Sequence, residues 1–235
     1  MKTFGRHRRS LRGIGNAVIA LLVAQVVALL LGSVAVLMEM SLLQRIIDGS
    51  QVTLAEATAS DNRVAASAQL WLVLVVPTVV VWLIWQHRAH ANLRAVGVTE
   101  LEYSPGWAVG WWLIPIANLW KPFQVNRELW KASSGVHDWR SLQTWTVLGW
   151  WWASWILAGV LGRIAAGARS DAETPMALRS ADIVDLVSTV VVAASAVLAI
   201  LLVRSVLMRQ DRLELAFPDL PPPPALETPR PHVSA

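Results

Sequence analysis

Residues 107–120 read WAVGWWLIPIANLW, and whether they cross a membrane decides the fold. As a helix, these 14 residues rise about 21 Å, short of a hydrocarbon core of about 30 Å. Pro115 and Asn118 interrupt the stretch, and Lys121 and Pro122 close it. Residues 122–134, PFQVNRELWKASS, then follow a helical period. Phe123, Val125, Leu129, Trp130 and Ala132 share one side, and Gln124, Arg127, Glu128 and Lys131 the other. Asn126 is the one polar residue on the apolar side. The pattern predicts an amphipathic helix with Pro122 in its first turn.

Longer apolar runs lie on both sides. They span residues 14–38, 66–85, 145–161 and 183–203. The first starts behind MKTFGRHRRSLR, with five basic groups and no acid, and continues past the small residues Gly32 and Ser33. That length predicts a signal anchor and not a cleaved signal peptide. Pro77 in the middle of the second run predicts a kink. The segments 39–65 and 163–182 are polar and read as loops, and PDLPPPPALETPRPHVSA (218–235) reads as a disordered tail.

Composition agrees. Hydrophobic residues make up 55% of the 235 and charged residues 15%, against about 25% charged in soluble domains. Mean hydropathy is +0.48. A polytopic membrane protein is expected. The absence of cysteine excludes disulfides, thiolate metal sites and a Cys nucleophile. A net charge of +4 invites a nucleic-acid reading, but the basic residues flank apolar runs, so no nucleic-acid partner is expected.

Basic residues also settle the crossing. If 107–120 dips in and returns, four spans remain, with 15 basic residues on the side of the termini and five on the other. If it crosses, each side holds ten. The positive-inside rule selects four spans, both termini cytoplasmic, and a re-entrant or interfacial element over 107–120.

Eleven of the 14 tryptophans fall between Trp107 and Trp155, the pattern of an interfacial aromatic belt. Ala20, Ala24, Ala28 and Gly32 recur every four residues, the pattern of a close helix contact within the bundle or in a homo-oligomer. His87 and His90 are three apart and form a weak metal pair, with no third ligand nearby. No ionisable residue stands near the midpoint of any run, which argues against a proton-coupled transporter or voltage sensor. Nucleotide, zinc-protease and nucleophile-elbow motifs are absent. No catalytic residue, cofactor or metal is therefore assigned.

The stretch YSPGWAVGWWLIPIANLWKPFQVNRELWKAS, Tyr103 to Ser133, resembles the domain-of-unknown-function 4328 family, found mostly in actinobacterial membrane proteins. With the adjoining spans, the resemblance covers residues 65–210. It implies an integral protein of the bacterial plasma membrane and carries no activity, substrate or cofactor. It implies that Pro105, Trp107, Trp112, Pro115, Asn118, Pro122 and Arg127 belong to the family's defining element.

The expected protein is all-α. Residues 1–13 form a basic cytoplasmic N-terminus, and residues 14–210 form a domain of four spans and a Trp-rich element. The leading functional expectation is a non-enzymatic binding or scaffold protein of the inner (plasma) membrane. Its cytoplasmic face would engage a protein partner or anionic lipid. A channel or small-solute permease built around Pro115–Asn118, which predicts a homo-oligomer, is the second class, and an intramembrane lipid-modifying enzyme the third.

Overall fold

The computed structural model describes residues 10–216, with side chains as far as Leu213. Residues 1–9 of the basic N-terminus and the tail at 218–235 lie outside the described residues. The described residues are helical and form six α-helices in order: α1 (Arg12–Ile47), α2 (Leu54–Ala95), α3 (Pro105–Gly110), α4 (Lys121–Ala132), α5 (Thr146–Ser170) and α6 (Pro175–Ala216). Four of them, α1, α2, α5 and α6, are long and apolar enough to cross a membrane. The segment over 107–120 is not among them; it forms the end of α3, a chain of turns and a short 3₁₀ turn at Ala117–Leu119.

The long helices outrun their apolar sequences. Both α2 and α6 have 42 residues, about 63 Å of helix against a core of about 30 Å. The segments 39–65 and 163–182, read from sequence as loops, are therefore mostly helix, and the true breaks are only 48–53 and 171–174. Local signals explain where they fall. Gly49 takes φ +78° after α1, and the Ser50 N–H returns to the Arg45 carbonyl. Thr53 and Glu56 then form a reciprocal capping box at the start of α2. At the second break the Thr174 hydroxyl accepts from the Ala177 N–H as α6 begins with Pro175.

α1 packs between α2 and α6, and α5 packs on α6. Of the small-residue stripe, Ala28 is buried and Gly32 faces Ser67 of α2, while Ala20 is exposed. Helix α2 runs unbroken through Pro77. Beside it, Gln25 of α1 donates to the Thr78 hydroxyl at 2.7 Å, and Thr78 donates to the Leu74 carbonyl. The Gln25 amide, deep in the first apolar run, is thus hydrogen-bonded across a helix pair.

The two ends of the bundle differ. The core is concentrated where α1 begins and α2 ends, joining Val18, Trp85, Leu93, Leu129, Leu148 and Leu202. At the opposite end, buried Glu39 of α1 and Asp182 of α6 both accept from Arg169 of α5, at 2.8 and 2.6 Å. Between the ends, Leu30, Val73, Val76 and Val190 face outward as apolar surface.

Candidate functional site

Residues 96–145 form a cap on the core-rich end of the bundle. Its entry is set by glycine and serine. Gly97 takes φ +80° after α2, and the Val98 N–H returns to the Leu93 carbonyl. Ser104 caps α3 by accepting from the Trp107 N–H, with Pro105 at the first helical position. Past Gly110 the helix gives way to turns. The Asn118 N–H reaches the Ile114 carbonyl across Pro115, and α4 starts at Lys121 with Pro122 in its first turn.

Trp112 is the centre of the cap. Its indole N–H donates to the Gln86 side-chain oxygen of α2 at 2.8 Å. Its ring meets Trp82, Trp152 and Trp155 edge-on at 5.8–6.2 Å. Trp82 in turn packs on Trp85 and Trp151, and Trp152 stacks on Trp155 at 4.8 Å. Six indoles thus join α2, the cap and α5. Four of the eleven tryptophans between Trp107 and Trp155 thus join Trp82 and Trp85 in one cluster; Trp82, Trp85 and Trp151 are buried and Trp112, Trp152 and Trp155 half-buried, because α2 and α5 present their rings to each other with Trp112 between. Trp152 also donates to the Leu119 carbonyl at 3.1 Å, pinning the turns.

A second set of contacts fixes α4. Trp130 stacks on Trp145, donates to the Ser205 hydroxyl at 2.9 Å, and lies 3.7 Å beneath the Arg209 guanidinium. Glu128, expected on the polar face, is buried and accepts the backbone N–H groups of Glu102 and Tyr103 at 2.7 and 3.1 Å. Burial raises its pKa from the ordinary carboxyl range, and those two bonds oppose the shift. Burial likewise raises the Tyr103 hydroxyl, which donates to Gln124.

Polar groups continue inward. Gln86, His90 and Asn126 are fully buried. His90 Nδ1 lies 3.0 Å from the Gln86 carbonyl, so that nitrogen carries the proton. Gln86 Nε2, His90 Nε2 and Asn126 Oδ1 find no hydrogen-bond partner among the described residues. His87, three residues earlier, is exposed, so the two imidazoles point into different surroundings. No group of three metal-ligating side chains occurs among the described residues.

The residues marked by the family resemblance are spread through the cap. Pro105 and Pro122 start helices, and Trp112 holds the centre. Pro115 sits at the turn. Trp107 packs on Trp111 at 4.9 Å yet remains exposed. Asn118 Oδ1 is buried with no partner among the described residues. Arg127 lies over the Phe123 ring at 5.9 Å. Sequence reasoning missed Gln86, Glu128, Ser205 and Arg209. For Gln86 a signal existed: Trp82, Gln86, Ala89, His90 and Leu93 recur at helical spacing, and all are buried.

The cap presents an apolar ledge of Trp107, Leu113, Ile116, Leu119 and Trp120, all exposed. Such a ledge suits the headgroup boundary or a docked partner.

One family model, Domain of unknown function (DUF4328), matches residues 48–207. The match holds the cap, α2 and α5 whole, and α6 as far as Leu207, and leaves α1 outside. No curated protein and no solved structure matches the chain.

Proposed function

The chain belongs to the DUF4328 family, and from that premise we propose a non-enzymatic binding or scaffold protein, multi-pass in the bacterial plasma membrane. In this reading the cap and both termini face the cytoplasm, which the basic-residue bias supports. The cap is the platform, and it engages a cytoplasmic protein or anionic lipid. The observation that carries this is the contrast between the cap's two faces. The inner face is locked to the bundle by Trp112–Gln86, Trp152–Leu119 and Trp130–Ser205. The outer face leaves Leu113, Ile116 and Trp120 exposed. A rigid backing beneath an exposed apolar ledge is what preorganised binding calls for.

Native mass spectrometry of the protein extracted with its surrounding membrane tests the reading. A co-purifying protein or anionic lipid that is lost on Leu113→Ser/Ile116→Ser supports it. Retention of every bound species by that variant overturns the cap as the platform.

A channel or permease is the second reading, favoured by the buried, unpartnered Asn118 oxygen in the broken segment. Flux through reconstituted vesicles that falls with Asn118→Ala supports it. Vesicles without flux count against it.

A further inference from the structure

A groove of about 420 Å³ runs between the start of α1 and the end of α6, and none of its lining residues belongs to the cap. Its walls are Ile19, Ala20, Leu207 and Met208, and its rim is Arg12, Asn16, Arg204 and Asp211. We propose that this groove holds one phospholipid with a net-negative headgroup, its phosphate on Arg204 and Arg12 and an acyl chain along the α1–α6 seam. The groove shares no residue with the cap, so the proposal goes beyond the reading above and stands apart from it.

Depth is the first argument. Arg204 stands 11 residues beyond the midpoint of the apolar run 183–203. That is about 16 Å along the helix, where the hydrocarbon half-thickness of about 15 Å ends. Arg12 stands 14 residues from the midpoint of 14–38, about 21 Å out. Both guanidinium groups therefore sit at headgroup level; Ile19 and Ala20 lie below them, while Leu207 and Met208, further along α6 than Arg204, stand level with Arg12.

Charge is the second. Arg204 is exposed and makes no ion pair among the described residues. Arg12 pairs with Asp211 at 3.1 Å, a contact exposed enough to exchange with a phosphate. Two guanidinium groups against one carboxylate leave the rim positive. Lys2, Arg6, Arg8 and Arg9 precede Arg12 in the sequence with no acid among them. Guanidinium binds phosphate oxygens in a bidentate fork, and a rim of this sign disfavours the ammonium of a zwitterionic head.

Close packing is the third. Gly15 meets the Leu207 side chain so tightly that an added Cβ would lie 2.7 Å from it. The two helices are therefore in direct contact at Leu207, which also lines the groove. Six of its eight lining residues, all but Arg204 and Leu207, lie outside the matched family region 48–207, so most of the site belongs to parts of the chain that the family model does not cover.

The test uses the full-length protein in mild detergent, with phosphatidylglycerol or phosphatidylcholine added to the micelles and bound lipid counted by native mass spectrometry. One phosphatidylglycerol per chain is expected, with phosphatidylcholine held at least about tenfold more weakly. Arg204→Gln removes the phosphate contact. Met208→Trp fills the groove from an exposed position without changing charge. Both variants lose the lipid, and the Leu113→Ser/Ile116→Ser cap variant keeps it, so failure of the cap reading and failure of this site are separate results. Equal retention of phosphatidylglycerol by both groove variants and the parent overturns the proposal. So does equal binding of the two lipids, or a dimer whose formation excludes the lipid.

Discussion

The Trp112 indole N–H donates to the Gln86 side-chain oxygen at 2.8 Å, joining the centre of the cap to α2 inside a cluster of six indoles. Both groups sit where water is scarce, so losing one partner leaves the other without a hydrogen bond. Gln86→Leu therefore costs about 1–3 kcal/mol. Trp112→Phe on top of it removes the stranded N–H and recovers part of that loss. Thermal unfolding of the two single variants and the double variant in one detergent checks the cycle; strictly additive losses would refute the coupling.

The opposite end of the bundle carries a different liability. Arg169 is the shared partner of Glu39 and Asp182, which are 3% and 0% exposed. Arg169→Met leaves two carboxylates buried with no counter-charge and costs about 3–5 kcal/mol. Glu39→Gln/Asp182→Asn in the same chain relieves most of it. Chemical denaturation in mixed micelles measures both, and a single variant as stable as the parent would contradict the arrangement.

Glu128 gives a pH dependence. Its pKa is raised in the folded protein by burial. A carboxyl with a raised folded pKa favours the folded state while protonated, and that contribution is lost as pH rises through the folded value. The stability of the parent relative to Glu128→Gln should therefore fall as pH increases above the ordinary glutamate range. A difference that grows with pH over the same window would show that the two backbone N–H bonds outweigh desolvation.

Orientation is open to direct labelling, because the chain lacks cysteine. His137 in the cap and Gln51 between α1 and α2 are both exposed and lie at opposite ends. In intact cells, His137→Cys should resist an impermeant thiol reagent and Gln51→Cys should react. The reverse pattern would invert the proposed topology.

Much of this molecule is legible residue by residue. Four apolar runs of membrane-crossing length announce the long helices, because covering a hydrocarbon core takes a number of residues that can be counted along the chain. The breaks were less legible. Segments 39–65 and 163–182 look like loops by polarity, yet their helices break only at 48–53, where Gly49 turns the chain, and at 171–174, where Thr174 and Pro175 start the next helix. Polarity reports where a helix leaves the apolar layer, and local backbone chemistry decides where it stops.

The sequence by itself determined the class, the number of long helices and the segment that could not cross, since these follow from hydrophobicity, length and charge bias. Only the tertiary structure decided which polar groups are buried and what they hold. Glu128 belongs by spacing to the wet face of α4, but the N–H groups of Glu102 and Tyr103 needed an acceptor there. Ser205 and Arg209 serve Trp130 from 75 and 79 residues away. The Trp cluster depends on α2 and α5 turning their indoles toward one another around Trp112. Such partnerships are set by how helices meet in space, and periodicity within one helix carries no record of its neighbour.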